Sequence, residues 1–425
     1  MRRFALVAVG LLVGCSSAAS EPAPSSTASP DTAVVTTTVT TAITTTTSSE
    51  PAPFRWERVM PGDEPIPGGM ADVIVGGPGL VAVGADGSGD DYDAAIWTSA
   101  DGYEWTRVPH DEAVFGGTGD QIMRGIAAGE SSLVAVGFDT LEGEPTAAIW
   151  TSPDGLVWAR VSDQEEVLGG PESQMANGVV ASDAGFVMVG NAQDEEGDQD
   201  VAVWTSLDGL AWTRVPHDED VFGGDGLQAA GGVTYGDFGF VAVGYDVDLN
   251  QGVDFDLAVW VSPDGVSWSR IPHDESVFGG TGWQGPGPVI AVGSGLVVLG
   301  YDEDEGPYDV AIWISTDGTE WARVASDSEA LGGEGEQLIQ SVIGTDAGLV
   351  AGGRDGANGV DEDAAIWISP DGLTWTQLED EVFGGPGDQE IRGITAFGDL
   401  VVAVGLDRSE DEVPTAVVWV GHPTG

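Results

Sequence analysis

From Phe54 to the end of the chain, apolar residues come in short runs separated by Gly, Asp and Pro. The runs have strand length and lack the three-to-four spacing of a helix face. They also repeat. AAIWTSADGYEWTRV at Ala94, AAIWTSPDGLVWARV at Ala147, VAVWTSLDGLAWTRV at Val201, LAVWVSPDGVSWSRI at Leu257, VAIWISTDGTEWARV at Val310 and AAIWISPDGLTWTQL at Ala364 align without gaps. Their first tryptophans, Trp97, Trp150, Trp204, Trp260, Trp313 and Trp367, lie 53 to 56 residues apart. Ahead of each comes a run such as LVAVG at Leu133, and ahead of that a weaker one such as GIAAG at Gly125. Each repeat therefore predicts four short strands rich in β-branched and aromatic residues.

Four strands per repeat of this length predict an all-β chain folded as a β-propeller of four-stranded blades. The two ends set the number of blades. The chain finishes on TAVVWVG at Thr415, a third strand without a fourth, and the repeat region begins with FRWERV at Phe54, a fourth strand without a third. Trp419 follows Trp367 by 52 residues. Pairing Phe54–Val59 onto the last blade gives seven blades and leaves no open sheet edge, whereas a linear solenoid would leave both halves unpaired.

The link between third and fourth strands, SPDGLVW at Ser152, reads as a tight turn. Asp154 accepts backbone amides, Gly155 supplies a conformation that other residues resist, and Trp158 covers the neighbouring sheet. This Ser-x-Asp-Gly-x-x-Trp pattern recurs in six repeats and resembles the Asp-box, or BNR, repeat of sialidase-like and sortilin-like propellers, one residue shorter between Asp and Trp. The resemblance implies an architecture, since the Asp-box of that family is a folding element away from the catalytic centre. The family's enzymes use three arginines on the substrate carboxylate, a tyrosine nucleophile with a glutamate, and an acidic proton donor. Here Arg58, Arg107, Arg160, Arg214, Arg270 and Arg323 share one fourth-strand position and read as structural. Arg55, Arg124, Arg354, Arg392 and Arg408 remain, and they form no local basic cluster along the chain.

Charge narrows the partners. The 13 basic residues are all arginine, against 71 acidic ones, for a net charge of −58. Such a surface repels nucleic acid phosphates and anionic headgroups, and suits basic proteins, metal ions or a salty medium. Hydrophobic content of 41% still predicts a folded core. The N-terminus differs in kind. Arg2 and Arg3 precede an apolar run from Phe4 to Val13 that is too short to span a bilayer as a mature helix, so residues 1–14 read as a signal peptide. Leu12-Val13-Gly14-Cys15 resembles the lipobox of bacterial lipoproteins, which implies cleavage before Cys15, the only cysteine, and its acylation. Residues 15–53 then form a Ser/Thr/Pro tether, at most about 130 Å long when extended, and residues 54–425 the propeller. These features place the domain outside the cytoplasm, lipid-anchored to the bacterial cell membrane, as a monomer.

Function on such a ring sits in its loops. The longest second-to-third-strand loop, DVDLNQGVDFD, has oxygen ligands at Asp246, Asp248, Asn250, Asp254 and Asp256. It looks like the hairpin calcium loops of integrin-type propellers, which implies Ca²⁺; the alternative is a solvated acidic hairpin. An Asp also recurs two residues past the second strand's terminal glycine (Asp86, Asp139, Asp246, Asp302, Asp355, Asp407), a regularity that suits capping the hairpin or pairing with the fourth-strand arginines. The fourth-to-first connections carry VPHDEAVFGG at Val108, VPHDEDVFGG at Val215 and IPHDESVFGG at Ile271, whereas the other units lack the histidine. What persists is an apolar residue before two glycines, which predicts an acid-capped helical turn pinned by one buried side chain. His110, His217 and His273 lie in different blade junctions and need not converge, so no catalytic residue is assigned. Four residues past each glycine pair comes Gln121, Gln174, Gln228, Gln284, Gln337 or Gln389, just before the innermost strand. They either tie each loop to its blade or form a polar collar at the channel mouth for a sugar or peptide. Together these features predict a binding or scaffold module for a protein, glycan or cation through an acidic face. The alternative is a sialidase-like glycoside hydrolase or lyase.

Overall fold

The computed structural model describes residues 53–424, apart from 62–65, 141–144, 162–164, 170–172, 195–196, 249–253, 304–306, 325–329, 357–360, 409–413 and single positions 225, 281, 294 and 334. Residues 1–52, which include Cys15 and all but the last residue of the segments read as signal peptide and tether, lie outside the described residues. Within them the chain is a β-propeller. Four-stranded antiparallel sheets follow one another, each laid down in chain order from first strand to fourth. The unit containing Gln121–Ala128, Leu133–Asp139, Thr146–Ser152 and Ala159–Arg160 is representative. Two neighbouring units join into one eight-stranded sheet through a single parallel contact, Gln199 with Leu227.

Phe54–Val59 pairs antiparallel with Thr415–Pro423, placing Trp56 opposite Gly421 and Arg58 opposite Trp419. First strands of successive units pack side by side, and Gly69–Gly76 packs both against Gln121–Ala128 and against the last first strand, Gln389–Phe397. Apolar burial follows the same order. Each cluster combines two consecutive units, and one of them joins Val402, Val404 and Val418 of the last unit to Leu80, Ala82 and Trp97 of the first. The third-strand tryptophans are fully buried at the centres of these clusters. From Trp150 onward, each indole N–H donates to a carbonyl in the turn that follows the preceding unit, as in Trp150 to Val114 at 2.7 Å and Trp260 to Val221 at 2.6 Å. A tryptophan at this position therefore fills the space between sheets and fixes their spacing.

The six Ser-x-Asp-Gly turns share one geometry. Asp154 Oδ1 accepts the N–H groups of Leu156 and Val157 at 2.9 Å, Ser152 Oγ accepts that of Gly155 at 2.8 Å, and the Trp158 indole donates to the Gly155 carbonyl at 2.9 Å. Gly155 takes φ +76°, a left-handed value that carries a steric cost for residues with a Cβ. At the opposite end, Glu112–Phe115 forms one helical turn capped by Asp111, whose side chain accepts from the Ala113 N–H, with Phe115 buried beneath it. Glu219–Phe222 repeats this arrangement with Asp218.

Six first strands carry a β-bulge at the same register. The extra residues are Ala71, Arg124, Asn177, Gly231, Gln340 and Arg392. A bulge leaves one residue unpaired and re-aims its side chain, so the repeat itself sets a variable position at the same place on six first strands.

Candidate functional site

The six glutamines belong to the blade and not to an exposed collar. All are buried, and Gln121, Gln228, Gln284 and Gln389 have no exposure. Five of them donate Nε2 to the aspartate ending the second strand of their own unit: Gln121 to Asp139 (3.2 Å), Gln228 to Asp246 (2.6 Å), Gln284 to Asp302 (2.7 Å), Gln337 to Asp355 (2.9 Å) and Gln389 to Asp407 (3.2 Å). The same aspartates receive the fourth-strand cations. Arg160 pairs with Asp139, Arg270 with Asp246, Arg323 with Asp302, Arg58 with Asp407 and Arg107 with Asp86, while Gln377 donates to Asp355 at 2.6 Å. An Arg–Asp–Gln chain thus clamps fourth, second and first strands at one end of the blade. The third unit has Ala192 in place of the aspartate. There Gln174 turns to the Gly169 carbonyl, and Arg214 stacks 5.8 Å over Trp204.

This clamp bears on the candidate calcium loop. Asp246 accepts Arg270 on Oδ2 and Gln228 on Oδ1, so both of its oxygens serve the blade as well. Asp256 faces His273 rather than the loop tip, and Asp254 is half-buried, its carboxyl raised by burial and by Glu275. The side chain of Asp248, and Asn250 altogether, fall outside the described residues.

Residues that break the repeat collect elsewhere, around the propeller axis. Bulge residues of neighbouring units meet here: Arg124 Nη1 donates to Asn177 Oδ1 at 2.7 Å, Asn177 Nδ2 donates in turn to Asn191 Oδ1 of its own unit at 3.2 Å, and Gln340 donates to Glu390 of the next unit. Arg392 donates to the other Glu390 oxygen at 2.9 Å. Glu390 is 5% exposed. Burial alone would raise its carboxyl, but Arg392, Arg354 and Arg408 together pull it below the ordinary range. Arg124 is different. Its guanidinium lies 4.8 Å over the Phe138 ring and has no carboxylate partner among the described residues. Burial first, and then repulsion from Arg392, lower it to about 10.

Across the axis the bulge residue is Gly231, and the next first strand is interrupted after Gln284–Gly285 by Pro286 and Pro288. Aromatic rings fill that side. A Cβ on Gly285 would fall 1.9 Å from the Tyr301 ring, so only glycine lets the ring lie on this strand. Burial, with Tyr308, Tyr245 and Glu303, pushes the Tyr301 phenol up to about 12. Arg124, Arg354, Arg392, Tyr245, Tyr301 and Glu390 therefore form a cationic, aromatic-walled mouth that no stretch of sequence displays. The signal that finds five of them is departure from the repeat at fixed register, the third residue past each glutamine and the residue after each second-strand glycine; Glu390 directly follows its glutamine.

The histidines form a second set of groups, one per unit. His110 Nε2 lies 3.2 Å from Glu112 and 3.9 Å from Asp93; His217 lies 3.1 Å from Glu219 and 3.5 Å from Asp200; His273 lies 3.2 Å from Glu275 and 3.7 Å from Asp256. The aspartates come from the starts of the third strands. Burial, opposed by the histidine and reinforced by neighbouring carboxylates, raises Asp200 and Asp256 to about 6 and raises Asp93 as well. Burial likewise raises Asp72 to about 6, against the backbone N–H groups of Ile126 and Val73. Each of these carboxyls holds its proton more tightly folded than unfolded. The stabilisation from protonation is therefore complete below 3.8, the unperturbed value, and is lost as pH rises through about 6. The turn aspartates Asp101, Asp208 and Asp371 have the opposite sign: backbone N–H groups lower them, and their contribution is lost as pH falls below 3.8. Metal-free protein will accordingly melt at a higher temperature near pH 4.5 than at pH 8, and the rise will survive added salt because burial rather than long-range repulsion causes it. Thermal melts followed by tryptophan fluorescence test this, and a maximum at pH 7 to 8 would contradict it.

No protein-family model matches the sequence, and no curated protein is significantly similar to it. Among solved structures, a protein of unknown function from Dyadobacter fermentans is similar at 14% identity and TM-score 0.49, covering 87% of this chain and 99% of that one. The periplasmic gluconolactonase of Pseudomonas aeruginosa aligns at 16% identity and TM-score 0.45, over 73% of this chain and 84% of its own. A thermostable family-43 glycoside hydrolase aligns at 14% and TM-score 0.39, over 62% and 94%. At these levels of likeness none of them carries an activity to this chain.

Proposed function

We propose that the chain is a binding module without catalysis: a closed propeller of seven blades, held outside a bacterial membrane by acylated Cys15, that takes a small carboxylate-bearing ligand at the axis mouth between Arg124 and Arg392. The pairing of Phe54–Val59 with Thr415–Pro423 and the packing of Gly69–Gly76 against Gln389–Phe397 support the closed ring. The lipid anchor rests on the sequence around Cys15 alone.

The observation that carries the binding reading is Arg124, a half-buried cation close to a second cation and with no carboxylate partner among the described residues, in a chain of net charge −58. Withdrawing a guanidinium from water without a counter-ion is costly, and a planar ligand carboxylate offsets that cost through two parallel hydrogen bonds. Acidic loops on the rim exclude polyanions, which favours a ligand with a single carboxylate. The hydrolase alternative draws on the same convergence of Arg, Tyr and Glu, but its chemistry fits poorly. A phenol pushed up to about 12 is a hydrogen-bond donor rather than a ready nucleophile at neutral pH.

Calorimetric titration with glucuronate, the simplest sugar acid, against glucose tests the reading. Glucuronate is expected to bind and glucose not, and Arg124→Ala is expected to weaken glucuronate about 10- to 100-fold, the size of a lost charge-assisted hydrogen bond. Equal binding of both sugars, or no effect of the substitution, would refute it. Release of the aryl alcohol from an aryl glucuronide or aryl sialoside would transfer the site to the hydrolase reading.

A further inference from the structure

We propose that Asp93–His110–Glu112, Asp200–His217–Glu219 and Asp256–His273–Glu275 are three equivalent binding sites for a divalent transition-metal ion of zinc-like preference. In each group one imidazole nitrogen and two carboxylate oxygens lie within 4.8 Å of one another. Zinc bonds of about 2.0–2.1 Å in a tetrahedron put ligand atoms about 3.3 Å apart. The His–Glu separations of 3.1–3.2 Å and His–Asp separations of 3.5–3.9 Å bracket that edge. One ion can therefore touch all three donors once the carboxylate side chains turn inward, with a fourth position left for water or a further ligand.

Two further observations point to an ion rather than to a chance hydrogen bond. First, in Asp200 and Asp256 the oxygen beside the one that faces the imidazole, Oδ1, is shielded from solvent and has no hydrogen-bond partner, so each carboxylate keeps an unsatisfied acceptor next to its donor oxygen. Second, the three donors occur together. Each unit with the histidine also has the third-strand aspartate and the glutamate two residues on, whereas Thr146 and Thr415 replace the aspartate in units without the histidine, and Asp309 and Asp363 stand in units that lack it.

The donor set chooses the metal. An imidazole with two carboxylates suits zinc and its neighbours, whereas calcium takes six to eight oxygens and no nitrogen. The surroundings hold the donors in place: Asp111, Asp218 and Asp274 each accept the backbone N–H two residues on, and the next unit's tryptophan grips the turn at Val114, Val221 or Val277. A bound ion would bridge the start of a third strand to this turn, stapling the blade at its junction.

The test uses full-length protein stripped with chelator and titrated with Zn²⁺ by calorimetry at neutral pH. Three equivalents per chain are expected, undisturbed by excess Ca²⁺. His110→Gln, His217→Gln and His273→Gln are each expected to remove one equivalent, and the triple variant to bind at least about 100-fold more weakly, beyond the 10- to 100-fold typical of losing a ligand's hydrogen-bond partner. The histidine side chains are 33–39% exposed, so these variants should keep the near-ultraviolet spectrum of the buried tryptophans. Independently of any variant, Co²⁺ added to the parent protein is expected to give the intense visible absorption of four-coordinate cobalt with nitrogen and oxygen donors. Zinc uptake unchanged in the triple variant, or cobalt bound only as the pale hexa-aqua form, would overturn the proposal.

Discussion

Replacing residues 54–59 by a glycine-serine segment of equal length will remove most of the folding free energy. Phe54 and Trp56 are buried at 8% and 4% exposure, and Trp56 meets Phe383 edge-on at 5.6 Å within the cluster around Trp419. Deleting a buried aromatic side chain costs about 3–5 kcal/mol, so these two alone account for about 6–10 kcal/mol against a typical total of about 5–15. The loss of Arg58 also takes the ion pair from Asp407, which is 11% exposed, and the strand Thr415–Pro423 becomes an open edge six residue pairs long. Urea denaturation should show a collapse of the midpoint or no cooperative transition at 37 °C. A variant with an unchanged midpoint would mean that this pairing contributes little to the ring.

The second large effect is expected at Asp139. Its side chain is 2% exposed and takes Arg160 on one oxygen and Gln121 on the other. Asp139→Ala leaves a guanidinium stacked 5.7 Å over Trp150 and a fully buried amide without their acceptor. Breaking a buried pair by removing one partner costs about 3–5 kcal/mol. The double variant Asp139→Ala, Arg160→Met should recover part of that loss, because an apolar chain needs no counter-charge and still covers the tryptophan. Urea midpoints with unchanged slopes would carry the comparison. A single variant as stable as the parent would show that the clamp is decorative, and a double variant worse than the single would show that the arginine stem matters more than its charge.

Much of the fold was legible because it is written as repetition. Trp97 to Trp419 at nearly constant spacing, and two half-blades at opposite ends, are pattern-level facts that need no coordinates. The turns around Asp154 and the capped turn at Glu112–Phe115 were readable for the same reason: their partners lie within four residues. The glutamines were harder to read. Two uses were open from the sequence, and what decided between them was an aspartate 18 residues away across an antiparallel register. The recurrence of Asp86, Asp139, Asp246, Asp302 and Asp407 suggested pairing with the fourth-strand arginines, which the structure shows.

Arg124 and Arg392 are 268 residues apart and looked like two scattered charges, so the sequence argued against an anion site. The ring of bulges puts them on the same inner wall, one unit apart, where Ala71 between them is too small to fill the gap. Likewise, His110 varied between blades and seemed the less informative half of its motif until the third-strand Asp93 came to face it.

The sequence by itself determined the class of fold, the repeat, the turns and the sign of the surface, because each depends on residue spacing or composition. The tertiary structure alone decided which polar groups are spent inside the blades and which converge at the axis and the junctions. Those contacts join residues from different strands and units, and burial then sets which charges are paired and which are left seeking a partner.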